Sequence, residues 1–343
     1  MPDGKPGIVY FYAPNKIGPV IFAALFLISG LVHFWQCVHY KAFKITALHP
    51  FCCLLFAVGF ALREYGAFDY DNLTVYIISI ICIYCAPPIL ELANYHVLGR
   101  ILYYVPYFAP FHPGRTLTTF GTLSFVVEIL NALGVANLAN PKLSQSRQDL
   151  GHILMKTALI TQIGVITCFV VITAIFHNRC RKAAIHNKQV QGPLWTMYVS
   201  TALILIRTIY RTVEHFGLSR VPANPPPDWD PVSLSPIVRY EWFFYVFEAA
   251  LMLENSIIWN VWHPRRYLPE DYHVYLAQDG KTELLGRGWK DDQNWIMTFF
   301  DPCGLTATIA GGGSGREKKE RPFWETNGFE NVQLVRGDEQ EAV

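Results

Sequence analysis

Seven stretches of this chain are each long and apolar enough to cross a lipid bilayer, and no other feature restricts its fold as much. They run approximately over residues 17 to 39, 43 to 63, 73 to 99, 117 to 138, 151 to 176, 195 to 216 and 240 to 262. A helix needs about 20 apolar residues to cross a hydrocarbon core about 30 Å thick. Inside that core every backbone N–H and C=O must find a partner within the protein, so helices are the fitting element for runs of this length. Composition agrees: 52% hydrophobic and 16% charged residues are too apolar a mixture for an ordinary soluble chain of 343 residues. The expected fold class is all-α, a polytopic membrane protein built as a bundle of seven transmembrane helices.

The connections set the orientation. Arg179, Arg181, Lys182 and Lys188 stand between the fifth and sixth stretches with no acid, Arg100 and Arg115 lie between the third and fourth, and Arg265 and Arg266 follow the seventh. The opposite set of connections holds Asp69, Asp71, Asp149, Asp228 and Asp230. By the positive-inside rule the N-terminus faces outward and the C-terminus lies in the cytoplasm. The expected organisation is an extracellular N-terminus over 1–16, a seven-helix unit over 17–264 and a cytoplasmic tail over 265–343, disordered from "GGGSGREKKERP" onward. Trp289, Trp295, Phe299 and Phe300, set among charges, read either as a segment on the membrane surface or as a packed cap. The first 16 residues show no basic stretch followed by a cleavage site, so the first helix is expected to direct insertion. Asn72 opens a glycosylation sequon, "NLT", on the outward side.

Several function classes lack support. No phosphate-cradling loop of the G-x-x-x-x-G-K-[ST] type occurs, so ATP-driven pumping by this chain alone is not indicated. Cys82 and Cys85 are spaced C-x-x-C but lie in an apolar helix, where they read as small buried residues. The 11 histidines form neither H-x-x-x-H nor H-E-x-x-H, so no metal ligand, no haem or other cofactor and no catalytic residue is expected. The net charge of +1 calls for no nucleic-acid partner.

The informative residues are the polar ones within the apolar stretches. Arg207, Arg211 and Glu214 stand at i, i+4 and i+7 and share one face of the sixth helix. Glu241, Glu248 and Asn255 recur every seven residues on the seventh, with Glu254 adjacent. A charge in hydrocarbon costs about 2.5 to 3.5 kcal/mol on insertion scales. The two stripes therefore read either as partners facing each other or as interfacial residues reaching toward headgroups. Glu91 with Asn94 on the third helix, and Glu128 with Asn131 on the fourth, repeat an i, i+3 spacing, and Lys44, His96, Lys156 and Gln162 complete the set. Pro87 and Pro88 remove two backbone donors just before Glu91, which predicts a kink beside a polar cavity. Each of these residues suits either a helix-to-helix hydrogen bond or a polar track for a ligand. The candidate track is Arg207, Arg211, Glu214, Glu248, Glu91, Asn94, Glu128 and Asn131.

Longer motifs carry a family likeness. "LIRTIYRTVEHFG", then "EWFFYVFEAALML" and "NVWHP", with "GFALREYGAF", "APPILELANYHVLGRIL" and "HPGRTLTTFG" earlier, resemble the fungal RTA-like family, the lipid-translocating exporters linked to resistance to aminocholesterol. The likeness covers about residues 10 to 264. It implies seven helices, an outward N-terminus, and export or tolerance of sphingoid long-chain bases, sterol analogues and, for some members, porphyrin. Where members of that family often carry Asp and Gln in the fourth helix this chain has Gly121 and Glu128, and their seventh-helix acid, often Asp, is Glu248 here. Two functions follow as expectations. One is a translocator of lipids or other amphiphilic small molecules at the plasma membrane. The other is a seven-helix lipid sensor or regulator that acts through a cytoplasmic protein partner. Nothing in the sequence sets an oligomeric state.

Overall fold

The computed structural model describes residues 15–69, 72–110, 112–139, 143–218, 235–286 and 333–336. The expected surface segment with Trp289, Trp295, Phe299 and Phe300, the "REKKER" run, Cys303 and the connection around Pro226 lie outside the described residues.

Long helices dominate. They are α1 (Gly18–His39), α3 (Leu48–Gly66), α4 (Leu73–Tyr104), α5 (Pro113–Ala139), α6 (Gln145–Lys182) and α7 (Lys188–Leu218), with a short α2 (Phe43–Thr46) between the first two. Five of these, α1, α3, α4, α5 and α6, are long and apolar enough to cross a membrane. The last apolar stretch is subdivided: α8 (Pro236–Arg239) and α9 (Trp242–Phe244) lead into a π-helical turn over Tyr245–Ala250 and then α10 (Leu251–Val261). The chain is thus a helical, multi-pass membrane protein. Its first helix shows the reversed polarity that a lipid environment produces, burying Ser29, His33 and Gln36 while exposing Ile21, Leu25, Ile28, Leu31 and Trp35.

The helices pack in sequence into a ring. α3 lies between α1 and α4, α5 between α4 and α6, and α7 against α6 and α10, while α10 returns to α1. α4 also touches α7 across the middle, so it is the inner helix. Its course is uninterrupted, because Pro87 and Pro88 lie within one helix of 32 residues. Asn72 caps that helix by accepting a hydrogen bond from the Val75 amide at 3.2 Å, so the sequon asparagine is engaged in the fold. Close approach of α5 and α6 is built on glycine: a Cβ at Gly134 would stand 3.0 Å from the Gly151 carbonyl, and one at Gly151 would stand 2.9 Å from the Gly134 carbonyl.

The all-α expectation needs one correction. Strands β1 (Val274–Leu276), β2 (Glu283–Leu285) and β3 (Gln333–Arg336) form a small antiparallel sheet, and β3 lies in the stretch expected to be disordered. The signal for the β1–β2 hairpin is legible in "VYLAQDGKTELL", where Asp279-Gly280 supplies the turn. Gly280 adopts a left-handed φ of 71°, and Asp279 Oδ1 accepts from the amides of Lys281 and Thr282 at 2.9 and 3.0 Å. The hairpin docks on the end of the bundle. Tyr104 at the close of α4 donates to Glu283 Oε1 at 2.8 Å, and Asn187 donates to the Gly280 carbonyl at 3.1 Å.

Candidate functional site

The π-helical turn places Glu248 against α7. Its i→i+5 hydrogen bonding widens the helix at the point where a charged side chain faces a neighbouring helix. Arg207, 3% exposed, donates from Nε to both oxygens of Glu248 at 2.9 Å and from Nη2 to Oε1 at 2.7 Å, and Glu248 is wholly buried. This is a two-pronged guanidinium–carboxylate pair, the geometry that best offsets desolvation. Arg211 has a different partner. It pairs with Glu214 one turn along α7, stands 4.0 Å from Glu248 and lies 3.8 Å over the Tyr84 ring of α4. Tyr210 donates to Glu214 Oε1 at 3.1 Å. The four charged residues form one knot in which two arginines balance two carboxylates.

Glu241 departs from the expected stripe. It precedes α9 and turns to α3, where Arg63 Nη2 donates to its Oε1 at 2.8 Å, so Glu241 and Glu248 serve different helices. Arg63 also lies 4.4 Å over the Phe244 ring. Sequence reasoning passed over Arg63 because it stands alone at the edge of its apolar stretch, with no periodic partner. Asn255 is buried with no hydrogen-bond partner on its amide, and Glu254 is exposed on another face of α10.

The second group lies between α4, α5 and α6. Pro88, Glu91, Ser124, Val127, Glu128, Gln162 and Val165 line a narrow, closed crevice too tight for a water molecule. Glu91, 3% exposed, accepts from Gln162 Nε2 at 2.7 Å and from the Tyr95 hydroxyl at 3.3 Å. Glu128 is half-buried and accepts a hydrogen bond from Asn131 at 3.4 Å. Among the described residues no Lys, Arg or His nitrogen lies within 4.0 Å of either carboxylate. Tyr95 and Ser124 are members the sequence reading did not single out, and Gln162, named among the polar residues, stood outside the candidate track. Tyr95 stands i+4 from Glu91 on the same helix and was legible as its neighbour, whereas the Ser124 and Gln162 relations become visible only when three helices meet.

Asn94 does not join either group. It donates to Ser200 at 2.9 Å and to Thr201 at 3.2 Å on α7, and Trp259 of α10 donates to the same Ser200 hydroxyl at 3.0 Å. That is a helix-to-helix clasp. His33 and His49 come together with ring centroids 5.1 Å apart, yet no set of three or more His, Cys, Asp or Glu among the described residues is placed to hold a metal ion.

The family described as "RTA1 like protein" matches residues 50–271, a span that contains both groups. A lipid-translocating exporter-like protein RTA1 of Leptosphaeria maculans is 48% identical over 291 residues, which cover 82% of this chain and 56% of that protein. The chain thus spans little more than half the length of that relative. A second lipid-translocating exporter-like protein RTA1, from Ajellomyces capsulatus, is 29% identical over 76% of this chain and 80% of its own length. Protoporphyrin uptake protein 1 of Saccharomyces cerevisiae is 23% identical over 74% of this chain and 91% of its own. No solved structure matches the chain.

Proposed function

Because this chain belongs to the RTA1-like family, we propose that it translocates amphiphilic lipids across the plasma membrane, without catalysis, and that sphingoid long-chain bases and sterol-like compounds are its substrates. In this reading α7 and the run from α9 to α10 are the sixth and seventh crossings. The N-terminus is outside and the tail after residue 264 is cytoplasmic, as the distribution of Lys and Arg favours.

The observation that carries the reading is the unequal distribution of charge. The knot is balanced, whereas the two carboxylates of the crevice have no ion-pair partner within 4.0 Å among the described residues, and Phe125 and Ile129 of α5 beside them are exposed on the outer surface of the bundle. The crevice is closed in this conformation, so a headgroup would enter it by parting α4, α5 and α6 while the rest of the lipid stays outside. The protonated amine of a long-chain base would sit against Glu91 and Glu128 while its chain stays in the bilayer. Ser124 and Gln162 offer hydrogen bonds to its hydroxyls. The Arg207–Glu248 knot would then fix α7 and the π-helical turn leading into α10 beside the moving headgroup, with Arg211 and Glu214 able to exchange partners.

Protein reconstituted in liposomes with a fluorescent long-chain base tests this. Wild type should speed movement of the probe between leaflets. Glu91→Gln and Glu128→Gln should slow it about tenfold, since a charge-assisted contact is worth about 1.5–3 kcal/mol, while leaving the folded fraction unchanged. Equal rates in wild type and protein-free liposomes would remove the proposal. Docking of the hairpin on α4 favours a sensor as the second reading, because a change in the bundle would reach the tail. A sensor would bind the probe and leave its transbilayer rate unchanged.

A further inference from the structure

Arg100 is buried as deeply as Arg207 but is held in another way. It is 2% exposed, and among the described residues no carboxylate oxygen lies within 4.0 Å of it. Its Nη2 donates to the carbonyl of Pro269 at 3.0 Å and to that of Asp271, and its guanidinium carbon lies 4.3 Å over the Tyr272 ring. Nε and Nη1, also sealed from solvent, have no hydrogen-bond partner. A guanidinium carries five N–H donors. The three on Nε and Nη1 are idle. A buried cation in this condition has lost its hydration and gained only neutral carbonyls and a ring face in return, which is costly unless an anion completes the shell.

A second guanidinium grips the same loop. Arg265 donates from Nη1 to the Leu268 carbonyl at 2.9 Å and from Nη2 to Glu270 Oε2 at 3.1 Å. Among the described residues Glu270 is the sole carboxylate paired with either arginine, and its side chain is 63% exposed. The loop over 268–272 is therefore clasped by two cations, while its two carboxylates, Glu270 and Asp271, are exposed, and Asp271 Oδ1 accepts from the His273 amide at 3.0 Å. Its position fits a headgroup. α4, with 32 residues, is about 48 Å long, well beyond the hydrocarbon thickness of about 30 Å, and Arg100 is the fifth residue from its C-terminal end.

We propose that Arg100 is the centre of a second binding site, for a phosphate group carried by a phospholipid headgroup or as free phosphate, with Arg265 as the supporting cation. A guanidinium edge meets two oxygens of a tetrahedral phosphate side by side, and the anion would engage Nε and Nη1, which neither Glu270 nor Asp271 reaches. The cover over Arg100 is thin, since Glu270 and Asp271 are exposed and the Tyr272 ring is half-exposed. Turning Tyr272 aside would open Nε and Nη1 while Nη2 keeps its hold on the loop. The site is separate from the crevice at Glu91 and does not depend on lipid translocation.

Thermal unfolding of the full-length protein in a neutral detergent, titrated with dihexanoyl phosphatidic acid or with inorganic phosphate at constant ionic strength, tests the proposal. Wild type should show a saturable rise in melting temperature. Saturation by inorganic phosphate alone identifies the free anion as ligand, and saturation by the lipid alone identifies the headgroup. Glu270→Gln should tighten the apparent Kd severalfold by freeing Arg265, and Arg100→Lys, which keeps the charge but loses the fork, should weaken it about tenfold or more. No saturable shift with either probe in wild type overturns the site. So does an unchanged Kd in Glu270→Gln, a surface substitution that decides the matter even if Arg100→Lys fails to fold.

Discussion

At the scale of single residues, the pair Arg207–Glu248 makes the strongest demand on the fold. Both side chains are buried, and three nitrogen–oxygen contacts of 2.7 to 2.9 Å join them. Removing one partner of such a pair leaves an uncompensated charge and costs about 3–5 kcal/mol. Arg207→Glu should therefore lose most of its folded protein, and adding Glu248→Arg should restore part of it, as read by abundance and by elution on size exclusion. No restoration would mean that the pairing does not hold the helices together. Arg211→Glu with Glu248→Arg is expected to restore less, because Arg211 takes Glu214 as its partner. The spacing of the sequence made the Arg207 face and Glu248 legible, since i+7 positions share a side of a helix. It could not tell Arg207 from Arg211, because choosing between them needs the rotation between two helices. The Arg63–Glu241 pair was illegible for the same reason.

Elements add constraints that no single side chain shows. α5 and α6 cross where Gly134 and Gly151 meet, and a side chain at either position would enter the space of Met155 or the opposing backbone. The crevice lies between these helices and α4, so their separation fixes its width. Gly151→Val should force the crossing apart. An overpacked contact costs about 1–3 kcal/mol, and a lowered melting temperature with monodisperse elution is the expected result. An unchanged melting temperature would show that the helices do not meet so closely. The hairpin admits a milder change. Gly280→Ala should destabilise by about 1–2 kcal/mol, because a φ of 71° is unfavourable for any residue with a Cβ. Its "DG" turn was readable in advance, whereas the π-helical turn over Tyr245–Ala250 was not. Nothing in "YVFEAA" distinguishes it from ordinary helix, and the widening becomes intelligible only beside the arginine that Glu248 meets.

For the whole molecule, the distribution of basic residues and the docking of the tail bear on each other. A reporter after Val343 should be cytoplasmic and a tag near Pro226 should be reached from outside intact cells. Finding both on one side would overturn the proposed seven crossings. The tail has a sharper test, because its first part belongs to the packed structure: Val274, Tyr275 and Leu276 are buried, and Pro269, Asp271 and Tyr272 provide the groups that hold Arg100. Ending the chain after Arg266 would remove all of them and leave Arg100 buried without a partner. Ending it after Gly286 keeps the clasp and the β1–β2 hairpin and, among the described residues, gives up only the pairing with β3. The chain ending at Gly286 should accumulate near wild-type levels, and the chain ending at Arg266 should be degraded or aggregate, as seen by in-gel fluorescence of a fused reporter. If both accumulate alike, residues 267–286 rest on the bundle without supporting it. If the chain ending at Gly286 accumulates and still moves a fluorescent long-chain base, translocation belongs to the helices. If it accumulates and moves the probe as well as wild type, yet cells expressing it lose lipid tolerance, the tail carries a regulatory role of its own.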